Sequence, residues 1–193
     1  MSSVVGIKKD DLLACLESLL VADPNGDLFD IIVVDNASSD GAPEAVERMY
    51  GGQGQRIKLI QLAVNIGGSG GFNAGIVEAL KAGYPYIHLL DNDVVVDPLA
   101  ISELYERMEA DRTLGMLGSK LYMHKEPERL QEYGSFVDWE RFNVRPINKG
   151  VLDHEALPEL LDCDYVPACS VMVRAEAIER CGLMDNLFFY LLG

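Results

Sequence analysis

Apolar residues recur along this chain in two alternating periods. In DDLLACLESLL, Leu12, Leu13, Leu16, Leu19 and Leu20 fall on one helical face, with Asp10 placed to cap the helix. DPNGD then breaks the pattern, and LFDIIVVD follows as a continuous apolar run closing on Asp35, the texture of a buried parallel strand. NASSDGAPEAVERMY combines turn chemistry with a short helix, GGQGQ reads as a turn, and RIKLIQLAV is a second strand. NIGGSGGFNAG reads as a glycine-rich loop, AGIVEALKAG as a helix ended by Gly83, and YPYIHLLDNDVVV as a third strand. DPLAISELYERMEA is a further helix, with Pro98 suited to its first turn.

Three strand–helix alternations predict an α/β fold with a mostly parallel sheet flanked by helices. From about Gly115 the texture changes. LGMLGSKLYM, YGSFVDWERFNV and CDYVPACSVMVR are shorter strands joined by polar loops, which predicts a small mixed-sheet extension before a last helix in VRAEAIERCGLMD. The expected organisation is one domain over 1–193, with a binding half over 1–113 and an incomplete second part over 114–193.

Composition narrows the chemistry. The 193 residues carry 31 acids against 16 bases, a formal net charge of -15. So acidic a surface repels nucleic acid, which is held by clustered Lys and Arg. It also repels any anionic ligand unless a metal ion or aligned backbone amides offset the field. Cys15, Cys163, Cys169 and Cys181 show no CxxC spacing and sit among apolar residues, so buried reduced thiols are expected. No secretory signal pattern opens the chain and no apolar run reaches the ~18 residues of a membrane span, which predicts a cytoplasmic protein.

Ligands of open α/β sheets lie beyond the carboxyl ends of the strands, where three features stand: VVDN with Asp35 and Asn36, the glycine-rich segment, and LLDND with Asp91 and Asp93. Glycines let bare amides approach a phosphate, or let a helix pack closely on a sheet. Two carboxylates one residue apart can grip one Mg²⁺ or Mn²⁺ if the backbone turns at Asn92, or can simply be a solvated turn. A dinucleotide fold is a competing reading, since Asp91 follows Gly68 and Gly70 at nearly the right spacing. Against it, Asn73 occupies the third glycine position and Asp35 already closes an earlier strand. The GxxxxGK[ST] pattern of a phosphate-binding loop is absent.

Taken together and in order, VVDNASSDG, NIGGSGGFNAG, LLDNDV and CDYVPACSVMVRAEAIERCGLMDNLFFY resemble the inverting, GT-A-fold glycosyltransferases of family 2. NIGGSGGF, LQEYGSFVDW and DYVPACS look most like the galactofuranosyltransferase branch, with the rhamnosyltransferase branch close behind. The resemblance implies a UDP- or dTDP-sugar donor bound by Asp35, Asn65, Gly67, Gly68, Gly70, Gly71, Asn73 and Asp91. It implies a DXD-type pair, Asp91 and Asp93, holding Mn²⁺ or Mg²⁺. It further implies transfer to a cell-surface glycan or lipid-linked acceptor in cell-wall or polysaccharide synthesis, with peripheral contact at the inner face of the membrane in the full-length protein.

Trp139, Asp164 and Tyr165 are acceptor-side candidates; Trp139 stacks on a sugar or packs in the core. His88 reads as a hydrogen-bonded core residue, and His124 and His154 as loop residues. The match departs from the family at two places. Ile7 and Lys8 stand where an aromatic residue and Asn are usual, and FFYLLG ends the chain where an acidic pair supplies the base. The expectation is a truncated chain, weak in transfer, whose base lies beyond Gly193; Asp164 and Asp185 are poor substitutes. The alternatives are a non-catalytic sugar-nucleotide-binding module and an NAD-linked oxidoreductase.

Overall fold

A computed structural model describes residues 9–51, 56–153 and 157–187. The GGQGQ turn (apart from Gly51), His154, Ile7, Lys8 and the FFYLLG segment lie outside the described residues. The first half alternates as expected: α1 (Lys9–Ala22), β1 (Ile31–Asp35), α2 (Ala42–Tyr50), β2 (Ile57–Gln61), α3 (Gly67–Ala82), β3 (Tyr86–Leu90) and α4 (Ala100–Ala110). The second half holds β4 (Met116–Gly118), β5 (Leu121–Met123), β6 (Glu126–Glu132), β7 (Ser135–Asp138), β8 (Asn143–Pro146), β9 (Ser170–Arg174) and α5 (Ala175–Cys181).

Strand β1 pairs parallel with β2, from Ile31 opposite Ile57 to Asp35 opposite Gln61. Strand β3 does not continue that ladder. It pairs antiparallel with β9, which also pairs antiparallel with β4. SVMVR is therefore central to the sheet and not part of the peripheral extension, and all five of its residues are buried. The extension expected as a small mixed sheet is instead two separate antiparallel ladders, β5–β6 and β7–β8.

Alternate side chains of the strands feed two cores. One gathers Leu16 and Leu19 of α1, Ile31 and Val33 of β1, Val46 of α2, Leu104 and Met108 of α4, and Met172 of β9. The other gathers Ile76 and Ala79 of α3, Ile87 and Leu89 of β3, Val171 and Val173, and Ile178 of α5. The result is a sheet between two helical layers. A cleft of about 1320 Å³ runs along β1 and β3, and its lining includes the residues at their carboxyl ends.

Two polar groups anchor these layers. Asp23, only 2% exposed, accepts four backbone N–H bonds from the turn between α1 and β1 and pairs with Arg56. Arg174 is buried at the end of β9, where its guanidinium donates to the carbonyls of Leu114 and Met108 and to the Tyr86 hydroxyl. These acceptors meet a charge that would be costly to bury alone. Of the cysteines, Cys15 is buried, Cys163 and Cys169 are half-buried, and Cys181 is exposed, correcting the expectation that all four are internal. Cys181 ends α5 on the solvent side, beyond the single buried residue of that helix, Ile178.

Candidate active site

The carboxyl end of β1 is folded back by its own side chains. Asp35 accepts the Ser38 N–H at 3.2 Å, and Ala37 between them takes a left-handed φ of 61°. Asn36 bridges to α3: its amide donates to Gly67 O, and its oxygen accepts the Ile66 N–H, both at 2.9 Å. Asn65 accepts the Gly67 N–H at 2.9 Å, and Gly67 has φ 79°, a value that favours glycine.

The segment Gly67–Asn73, expected as a loop, is the first two turns of α3. Glycine disfavours helix by ~1 kcal/mol per residue, yet close packing on β1 prevails. A Cβ on Gly75 would lie 3.3 Å from Val34 Cγ2, and one on Gly71 3.6 Å from Asn36 Nδ2. Gly67, Gly68 and Gly71 line the cleft, so the amino-terminal start of α3 and the positive end of its dipole stand beside it.

Gly70 and Asn73 lie elsewhere. A Cβ on Gly70 would come within 2.7 Å of Ile66 Cγ1. Asn73 is buried; it donates to Met184 O and Asn186 Oδ1 and accepts the Met184 N–H, so its amide ties α3 to the segment after α5. Asn73, expected at the donor, is thus engaged within the fold and outside the cleft lining.

Across the cleft, Asp91 follows β3 and its N–H donates to Cys169 O at 3.2 Å. Asn92 and Asp93 form the turn that a paired-carboxylate reading requires. Asp91 faces the cleft, while Asp93 is exposed beside it. Burial, then the Asp93 charge, pushes the Asp91 carboxyl above the usual range. A divalent cation would relieve that repulsion, and hard carboxylate oxygens suit Mg²⁺ or Mn²⁺. The described residues contain no group of three or more His, Cys, Asp or Glu that could hold a metal. Two carboxylates alone leave most of a cation's shell to ligand oxygens.

The thiols beside the acids are pushed up from their ordinary range. Burial, together with the Asp91 and Asp93 charges, raises Cys15 to about 11; burial and then the charges of Asp91 and Glu132 do the same to Cys169. His88 is lowered to about 4 by burial and lies 3.2 Å from Ser170 Oγ, the core role expected of it. His124 is exposed in a turn.

On the second side of Asp91, Tyr165 bridges Ser135 in a short antiparallel contact. Asp164 accepts the Val137 N–H of β7 at 3.0 Å, a contact between distant segments, and Asp185 accepts the Leu187 N–H of its own turn at 2.9 Å, so each carboxylate is engaged by a backbone amide. Trp139, in the turn between β7 and β8, is 73% exposed and therefore has no core role.

The glycosyl transferase family 2 model matches residues 7–166, which spans the β1 turn, the glycine segment, the acidic turn and Tyr165. The chain belongs to that family. Its fold is similar to that of the mannosyltransferase PcManGT from Pyrobaculum calidifontis, solved in complex with GDP-Man and Mn²⁺, with TM-score 0.62 and 17% identity over 93% of this chain. It is also similar to S. aureus TarS 1–349, with TM-score 0.59 and 16% identity over 91% of this chain. The family 2 chain spans less than half of each, 45% and 46% respectively. No curated protein matches it.

The expected GT-A fold thus holds. Of the residues foreseen for the donor, Asp35, Asn65, Gly67, Gly68, Gly71 and Asp91 share one cleft. Asn36 had no assigned role, although its two bonds set the cleft mouth; an Asn directly after a strand-end Asp was the available signal.

Proposed function

We propose that this family 2 chain is the donor-binding part of an inverting glycosyltransferase that uses a nucleoside diphosphate sugar with Mn²⁺ or Mg²⁺. The carrying observation is that Asp35, the glycine-rich start of α3 and Asp91 converge on one cleft at the carboxyl ends of β1 and β3. In this reading Asp35 accepts a hydrogen bond from the base or ribose. The amides of the first α3 turn face the anionic part of the donor, offsetting a protein charge of -15. Asp91 and Asp93 hold the cation, which supplies Lewis-acid stabilisation of the departing diphosphate. Mn²⁺ and GDP-Man in the PcManGT structure support a divalent metal and a nucleotide-sugar donor.

The finer assignment, a UDP- or dTDP-linked galactofuranose or rhamnose passed to a glycan or lipid-linked acceptor at the inner membrane face, is supported by the resemblance of NIGGSGGF, LQEYGSFVDW and DYVPACS to those branches. No helix among the described residues is long and apolar enough to cross a membrane. A donor-binding module without transfer remains the second reading, because Asp164 and Asp185 are both engaged by backbone amides.

Calorimetry with UDP, dTDP and GDP, with Mn²⁺ or with EDTA, tests the assignment. Binding should require the metal, and Asp93→Asn should weaken it. Equal affinity in EDTA overturns the metal reading, and no binding of any of the three with Mn²⁺ overturns the donor reading.

A further inference from the structure

The cleft draws on two segments thirty residues apart, and one side chain joins them. Asp35 is the last residue of β1, and Gly67 is the first of α3. Asp35 is occupied within its own surroundings. Its carboxylate accepts the Ser38 N–H, and its carbonyl accepts the Leu62 N–H at 2.9 Å, which fixes its backbone beside the end of β2. Asn36, the next residue, reaches across instead. Its Nδ2 donates to Gly67 O and its Oδ1 accepts the Ile66 N–H, both at 2.9 Å.

The donor and acceptor of one planar amide are thereby spent on consecutive residues. A single hydrogen bond would let the two segments pivot about it, whereas this two-point attachment fixes direction as well as distance. The amide also lies against the first turn of α3, since a Cβ on Gly71 would stand 3.6 Å from Asn36 Nδ2. Ile66, the residue before the helix, makes no side-chain cap of its own. Asp35, Asn36, Gly67 and Gly71 all line the cleft, so the bridge belongs to its wall.

We propose that Asn36 is a positioning residue for the donor: it holds the Asp35 turn and the start of α3 at one separation. The inference rests on the donor reading above, in which Asp35 meets the base or ribose and the start of α3 meets the anionic part. Asn36 acts through those two segments. A ligand that spans both gains from their fixed separation, because no loop has to be ordered as it binds. A ligand seated on the Asp35 turn alone gains little, because that turn is held by Ser38 and Leu62 whether or not the bridge exists.

The test is calorimetry on the full-length protein with Mn²⁺, using UDP, dTDP and GDP beside uridine, thymidine and guanosine. Asn36→Ala should lower affinity for the diphosphate that wild type binds by about ten- to a hundred-fold, the usual effect of removing a group that orients binding residues. Affinity for the matching nucleoside should stay within a few-fold of wild type, a split that a general loss of folding does not produce. Asn36→Ser, too short to reach both residues, should behave alike, and the thermal midpoint of each variant reports its folding. A diphosphate affinity within a few-fold of wild type overturns the assignment. Equal losses for diphosphate and nucleoside overturn it too, since Asn36 would then serve the Asp35 turn alone. If neither variant folds, the bridge serves the fold and the assignment to the donor falls. A wild-type protein that binds none of the three diphosphates overturns the donor reading itself, and the role of Asn36 with it.

Discussion

Asp23→Asn should be among the most destabilising single-atom-scale changes in this protein, because one carboxylate organises the entry to β1. Its Oδ1 accepts the N–H groups of Gly26 and Asp27 at 3.0 and 3.2 Å, and its Oδ2 those of Leu28 and Phe29 at 3.1 and 3.3 Å. Arg56 Nη2 lies 2.8 Å from Oδ2, and the same guanidinium donates to the Asp23 carbonyl. Asparagine keeps one acceptor oxygen and turns an NH₂ group toward the remaining donors. At least two bonds to a charged acceptor are lost, each worth about 1.5–3 kcal/mol, and Arg56 loses its counter-charge. Breaking a buried pair typically costs about 3–5 kcal/mol, so a loss near 4 kcal/mol is expected.

The pH dependence follows from the same contacts. Burial pushes the Asp23 carboxyl up, but bonds from Leu28, Phe29 and Asp27 and the Arg56 charge outweigh it and hold the group below its usual range. A depressed folded-state value means that the contribution is complete above the unfolded value, ~3.9, and is lost as pH falls through the lower folded one. Urea unfolding followed by circular dichroism should show a constant gap between wild type and variant from about pH 5 to 7, narrowing below ~4. A gap under ~1 kcal/mol at neutral pH, the worth of one ordinary hydrogen bond, would refute the argument, as would a gap that widens in acid.

Asn73→Ala should lower stability by about 2–3 kcal/mol through loss of its bonds to Met184 and Asn186, while nucleotide affinity of the folded fraction stays close to wild type by calorimetry. Asp35→Ala should weaken nucleotide binding by about 1.5–3 kcal/mol and leave the metal requirement intact; normal binding would reduce Asp35 to a cap for Ser38. Gly67→Ala, forced to φ 79°, should cost about 1–2 kcal/mol in thermal or urea unfolding.

The donor end was legible because its information is local. An apolar run that closes on an acid reads as a buried strand with a ligand-facing end, and both β1 and β3 have that form. What local pattern could not reveal was partnership. Nothing in SVMVR says that it pairs with β3 from more than eighty residues away, or that Arg174 would be buried and satisfied by carbonyls. The glycine segment misled for a related reason. Its low helix propensity is a local fact, while the contacts with Val34 and Asn36 that favour the helix are tertiary.

The same asymmetry holds among the acceptor-side candidates, Asp164 and Tyr165. A strand-end acid advertises itself, but a carboxylate at the end of the exposed, charged strand EPERLQE looks like one more solvated residue. The bridge from Ser135 to Tyr165 joins segments thirty residues apart through backbone groups that carry no sequence signature. Asp164, the more conspicuous acid, is drawn into the same bridge and spent on the Val137 amide. The residues proposed for the donor thus lie in short consecutive stretches, whereas the acceptor-side candidates meet their neighbours only once the β6–β7 turn has docked on the stretch leading to β9. If so, Ser135→Ala, which keeps the backbone bridge to Asp164 and Tyr165 and removes only the hydroxyl bond to Glu132, should leave nucleotide affinity by calorimetry at its wild-type value, since neither Ser135 nor Glu132 lines the cleft; a marked loss of affinity would refute this separation of the two sides.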